Sequence, residues 1–196
     1  MALSETSICN QALARFGDKR INNFETDTTP RAIWCREFYE PTRDALLRSH
    51  KWRFAAARVT LVQDTTDPDF EWDNQFILPN DFMAMRSIYE NSISDENLWS
   101  YAIEGQRLLT NDSTMEIRYT RKVTDPTEFD PLFVKLLVLE LELQLVGPLA
   151  GNDEDVREAI RKDIAYAMPA IRAMDAQETN TIGQYGLETW NDARYT

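Results

Sequence analysis

Between Leu132 and Val146 the chain reads Leu-Phe-Val-Lys-Leu-Leu-Val-Leu-Glu-Leu-Glu-Leu-Gln-Leu-Val, and no other stretch limits the possible folds as sharply. Its second half, Leu139 to Leu145, alternates apolar and polar residues with the period of a strand. Every residue in that half is nevertheless a strong helix former and none is β-branched, so the segment is assigned to a helix. A helix with leucines on more than one face must be covered from several directions, by its own bundle or by neighbouring subunits. The most apolar part, Leu132 to Leu139, is far too short to span a bilayer, and no membrane span is expected.

Helix punctuation surrounds this segment. Asp130-Pro131 supplies a cap followed by a proline, and Gly147-Pro148 is expected to break the helix. Asn152 or Asp153 caps a last helix whose first turn carries Glu154 and Asp155, where the helix dipole favours negative charge. Its apolar stripe is Val156, Ile160, Ile164, Ala167, Met168, Ile171 and Met174, with Pro169 expected to bend it. At the other end of the chain, Ser4 caps a short helix with the stripe Ile8, Ala12, Leu13 and Phe16. Leu3 is placed to staple against Ile8 and Gly17 to end the helix. After a polar link from Asp18 to Thr28, Thr29-Pro30 opens a second helix patterned by Ile33, Trp34, Phe38, Tyr39, Ala45 and Leu46, with a kink expected at Pro41.

Between the two helical regions the pattern changes. Arg58 to Val62 reads as a first strand, Phe76-Ile77-Leu78 and Phe82 to Tyr89 as further strands. Alternation at Trp99, Tyr101 and Ile103, and at Met115, Ile117 and Tyr119, with turns at Gly105 and Asn111-Asp112, predicts an antiparallel meander. The expected architecture is α+β. A bundle of about four helices carries an antiparallel β insertion between helices 2 and 3: helices over 1–53, β insertion over 54–126, helices over 127–178, and a tail over 179–196.

The side chains that carry chemistry are few. Asp67, Asp69, Glu71 and Asp73 recur every second residue, but the EF-hand pattern fails because Trp72 stands where its glycine belongs; an extended edge fits better. His50 is the only histidine and has no serine or cysteine elbow near it in sequence. Cys9 and Cys35 form no CxxC pair, and no glycine-rich phosphate loop is present. With no coherent nucleophile, base or ligand set, the expectation is a protein that is not an enzyme and holds no metal or cofactor. A formal charge of -12 disfavours reading nucleic acid through phosphate contacts. The first eight residues lack a positive cluster and an apolar core, so no secretory signal is expected and the protein is read as soluble and made in the cytoplasm.

Charge is segregated all the same. From Arg31 to Arg58 seven cations face three anions, a balance of 7 − 3 = +4 in an acidic chain. Two readings stay open: a solvated helix with intrahelical pairs such as Glu40, Asp44 and Arg43, or a basic face, including Arg31, Arg36, Arg43 and Arg48, that meets an acidic partner. The leucine-rich helix adds Leu141 and Leu143 as candidates for an outward contact. In the tail, poor in aliphatic residues, Tyr185, Trp190 and Tyr195 are candidate docking anchors on a segment reaching roughly 50 to 60 Å when extended. An ordinary frayed terminus is the alternative.

Three stretches together resemble a known family. They are Ile8-Cys9-Asn10-Gln11-Ala12-Leu13-Ala14-Arg15-Phe16-Gly17 followed by Ile21-Asn22-Asn23-Phe24-Glu25, then Arg43-Asp44-Ala45-Leu46-Leu47-Arg48-Ser49-His50-Lys51-Trp52-Arg53-Phe54, then Leu78-Pro79-Asn80-Asp81-Phe82. They resemble the tail tubular protein A, or head-to-tail adaptor (connector), family of short-tailed bacteriophages, as does the order of helices, β region, helices and tail over essentially the whole chain. The resemblance implies a structural virion protein in the neck of the tail. It would form a dodecameric ring under the portal protein ring, hold the tail nozzle or tube protein below it, and let double-stranded DNA pass through its lumen during ejection. The rival expectations are a cytosolic helical binding or regulatory module and a metal-dependent hydrolase.

Overall fold

A computed structural model describes residues 3–89 and 100–177. These fold as mixed α+β, with four α-helices and seven antiparallel strands in the order α1 (Glu5–Ala14), α2 (Pro30–Ser49), β1 (Ala56–Thr60), β2 (Val62–Gln63), β3 (Asn74–Ile77), β4 (Phe82–Ile88), β5 (Tyr101–Glu104), β6 (Arg107–Thr110), β7 (Glu116–Arg121), α3 (Pro131–Ala150) and α4 (Glu154–Gln177).

Local chemistry sets the helix ends. Ser4 and Ser7 cap each other reciprocally: the Ser7 amide donates to Ser4 Oγ at 3.2 Å and the Ser4 amide to Ser7 Oγ at 2.9 Å. Asp130 Oδ1 accepts from the Leu132 amide at 2.7 Å. Asp153, not Asn152, caps α4, accepting from the amides of Asp155 and Val156 at 2.9 and 3.2 Å. The expected break at Gly147-Pro148 does not occur: α3 runs through both residues to Ala150. Pro148 removes one backbone donor without ending the helix. The helix stops instead at Gly151, in the left-handed region at φ +62°, whose amide donates to the Val146 carbonyl. Pro41 and Pro169 likewise lie inside uninterrupted helices.

α3 is the axis of the helical core and packs against α1, α2 and α4. Phe133, Leu136, Leu137, Leu141, Leu145 and Val146 are all buried along it. The inward face of α2 differs in part from expectation: Ala32, Cys35, Tyr39, Arg43, Leu46 and Leu47 are buried, whereas Ile33 and Trp34 are 49% and 40% exposed. Tyr39 and Leu46 face the core as expected, whereas at the start of the helix the inward positions are Ala32 and Cys35, whose small side chains allow the closer approach of neighbouring helices. Along α4 the buried positions are Ile160, Ala167 and Ile171; the side chain of Met174 lies outside the described residues. An aromatic cluster closes the lower end of the core, with Trp52, Phe54 and Phe129 each within 5.0 to 5.2 Å of the Phe133 ring in edge-to-face contact.

The β region is not a meander. It forms a three-stranded sheet ordered β1-β7-β4 and a four-stranded sheet ordered β2-β3-β6-β5. The expected single strand over Arg58–Val62 is bent at buried Leu61, which divides β1 in one sheet from β2 in the other. Two facing sheets cover each other's apolar sides, which one open meander cannot do. Leu61, Phe76, Leu78, Leu108, Met115, Ile117 and Tyr119 fill the space between them as a second core. Strand β6 carries no separate signal in the sequence reading; it returns from the Gly105 turn, at φ +57°, to pair with β3 and β5. Trp99 lies outside the described residues.

Polar side chains join the two cores. Arg86, in a bulge of β4, donates through Nε to Thr120 Oγ1 at 2.9 Å, through Nη1 to the Lys51 carbonyl at 3.2 Å, and through Nη2 to the Trp52 carbonyl. Arg48 of α2 donates to the Met83 carbonyl at 3.2 Å, and Lys122 pairs with Asp44 at 2.8 Å. The three-stranded sheet is therefore tied to the end of α2 at several points.

Candidate interaction surfaces

The arginines of the basic segment have internal tasks. Arg36 Nη1 donates to the carbonyls of Phe24 and Asp27 at 2.6 and 2.9 Å, holding the polar link against α2. Arg31 approaches Asp18 at 3.8 Å. Arg43 is 1% exposed, with Nε on Asp44 at 2.8 Å, Glu40 at 3.8 Å and the Tyr39 ring beneath it at 5.9 Å. It offers no surface to a partner and matches the intrahelical pairing reading. Arg48 is exposed but bonded to Met83, as above. Of the two leucines, Leu141 is buried in the subunit and Leu143 is half-buried. Tyr185, Trp190 and Tyr195 lie outside the described residues.

Reactive groups are dispersed. Among the described residues no group of three or more His, Cys, Asp or Glu is placed to hold a metal ion. Asp67, Asp69, Glu71 and Asp73 are all exposed. His50 lies edge-on to Trp52, with ring centres 5.0 Å apart. The thiols of Cys9 and Cys35 are buried and hydrogen-bonded to each other across α1 and α2; that bond and burial push Cys9 up.

Sequence reasoning missed one buried carboxylate. Glu142 projects from α3 between α1 and α4, where Arg15 lies 3.6 Å away and itself pairs with Asp163 at 2.7 Å. Burial pushes the Glu142 carboxyl up to about 7, against the lowering effect of Arg15 and with a smaller raising effect from Asp163. The available signal was a glutamate inside a helix apolar on all sides.

Two outward apolar surfaces remain. One is a groove of about 350 Å³ between α2, α3 and α4, floored by Phe38, Pro41, Ala45, Leu46 and Met168 with Glu140 and Gln144 at its rim. Trp34 extends it, stacked on Phe38 at 5.9 Å and 11°. The second lies at the edge of the four-stranded sheet, where Val62, 71% exposed, pairs across the strands with Ile77. Exposed apolar surface of this kind is commonly covered by another protein. No protein-family model matches the chain, and no curated protein matches it significantly.

Proposed function

We propose that this chain is a structural subunit of a short-tailed phage particle, the adaptor between portal and tail. In this reading about four helices form a bundle, the β region is an insertion between helices 2 and 3, and twelve copies close into a ring in the virion neck after synthesis in the host cytoplasm. The portal ring lies above, the nozzle or tail tube lies below, and double-stranded DNA passes through the lumen. No catalytic step is involved, and the work is geometric: lateral packing closes the ring while the axial faces hold different partners.

One observation carries the reading. The elements run α1, α2, seven strands, α3, α4, in the order expected from the resemblance, and the quoted stretches fall at α1, at the α2-to-β1 junction and at the entry to β4, which supports the reading. Exposed Trp34 and the groove beside it supply a lateral contact, and a ring of net-acidic chains would not grip DNA. The segment 179–196 is assigned to portal docking.

The test is mass measurement of the purified chain, alone and with portal rings from the same genome. The expected result is a defined complex on the portal with a ring's complement of copies. A chain that leaves portal rings bare at micromolar concentration overturns the proposal.

A further inference from the structure

The outer face of the three-stranded sheet carries an arrangement that a lone subunit gains nothing from. Arg58 of β1 and Arg118 of the central strand β7 are direct cross-strand partners, both exposed. Like charges directly opposite one another destabilise a sheet. Neither guanidinium has an anionic partner among the described residues; the nearest acid on the strand, Glu116, accepts from Thr60 at 3.3 Å. With Tyr89, 52% exposed, and Glu116, the two arginines border a recess of about 490 Å³, whose lining therefore carries two cations and one anion. Planar guanidinium groups favour carboxylates and aromatic faces as partners.

The complementary surface lies elsewhere on the same chain. From Asp64 to Asp73 the link between β2 and β3 holds five acids and no base. Asp64 is taken by Arg107 at 2.7 Å, leaving exposed Asp67, Asp69, Glu71 and Asp73 without a side-chain partner among the described residues. In their midst Phe70 is 79% exposed. Glu71 holds φ +74° while the Trp72 amide donates to the Phe70 carbonyl at 2.9 Å, a strained γ-turn that non-glycine residues seldom adopt. An exposed aromatic among unpaired carboxylates offers the negative charge that the recess, with two arginines to one glutamate, has too little of.

We propose that the acidic turn of one copy docks on the Arg58–Arg118 recess of the next, with Phe70 entering beside Tyr89. The occupant is a second copy of this chain. Because the two surfaces differ, the contact is head-to-tail, the kind that closes rings. This rests on the ring reading above and names the contact that would set its register.

Charge exchange tests it. One variant carries Arg58→Glu and Arg118→Glu; the other carries Asp67→Lys, Asp69→Lys and Glu71→Lys. All these side chains are exposed, and circular dichroism should show both variants folded. In ring assembly on portals, followed by mass, each variant alone should lose about tenfold or more in apparent affinity between copies. An equal mixture should recover it, since each reversed surface then meets a reversed partner. Phe70→Ser should weaken assembly without changing its salt dependence.

Wild-type assembly with both variants assembling equally well overturns this contact alone, as does failure of the mixture to recover. If the arginine reversal spares assembly but weakens binding of a double-stranded DNA fragment, the recess serves DNA and the proposal is wrong. If it lowers only the melting temperature of the subunit, the arginines serve an intramolecular contact, which also refutes the proposal. A wild-type chain that never assembles overturns the ring reading and this contact together.

Discussion

Replacing Glu142 with glutamine should make the protein more stable at neutral and alkaline pH, and the structure gives the size of the effect. The Glu142 carboxyl has a side-chain exposure of 8% and titrates at about 7, against 4.5 for the unburied group. A folded-state value above the unfolded one means that the neutral acid is preferred in the fold. Its favourable contribution is complete below about pH 4.5, is lost as pH rises through about 7, and is absent beyond. At about 1.4 kcal/mol per pH unit over that interval, the upper limit of the loss is about 3.5 kcal/mol. Glutamine keeps the shape and cannot ionise. Urea unfolding of both proteins from pH 4.5 to 8.5 reads the difference directly and cancels every other titrating group. The free energy of the wild type should fall relative to Glu142→Gln across this window and then run parallel to it. Parallel profiles throughout would show that Arg15 and water stabilise the carboxylate fully, and the argument from burial would be refuted.

Leu141→Ala should cost about 2 to 5 kcal/mol in denaturant unfolding, because it opens a cavity on the buried side of α3, whereas Leu143→Ala should cost clearly less. Gly147→Ala, normally a gain of up to about 1 kcal/mol inside a helix, should lose that gain here, because its Cβ would lie 3.1 Å from Asn152 Oδ1. Adding Asn152→Ala to that variant should recover part of the loss in thermal melts. Arg86→Met should lower stability by about 2 kcal/mol or more, leaving the Lys51 and Trp52 carbonyls without this donor, and amide exchange should quicken in β4 before it does in α3.

Helix starts were legible because each depends on one or two neighbouring residues: Ser4, Asp130 and Asp153 cap as their side-chain chemistry dictates. The helical choice for Leu139–Leu145 held against its period of two, since intrinsic preference and the need for cover on several sides agreed. What failed depended on distant partners. The first turns of α2 were misassigned because Ile33 and Trp34 were ranked above small Ala32 and Cys35, while Tyr39 and Leu46 face inward as expected, and burial of an arginine at position 43 cannot be foreseen without Asp44, Glu40 and Tyr39 around it. The two-sheet topology was hidden for the same reason: β7 pairs with β1 and β4, both far away in sequence. Of the candidate contact residues, the arginines were chosen by charge alone. The cross-strand pair Arg58 and Arg118 becomes visible only when register is known.

The corner at Leu61 also determines where this chain can change length. Val59 and Leu61 stand two residues apart and share the interior side, while Val62 begins a strand of only two residues. One residue added at the corner would reverse the inside-outside parity of everything up to the next turn. It would set Val62 and Gln63 against the wrong partners and draw Leu61 out of the second core. The ten residues that follow, Asp64 to Asp73, have no such parity to keep. Relatives of this protein should therefore differ in length in that turn and keep an invariant count between β1 and β2, and a peptide tag inserted after Thr66 should be tolerated where one inserted after Thr60 would not.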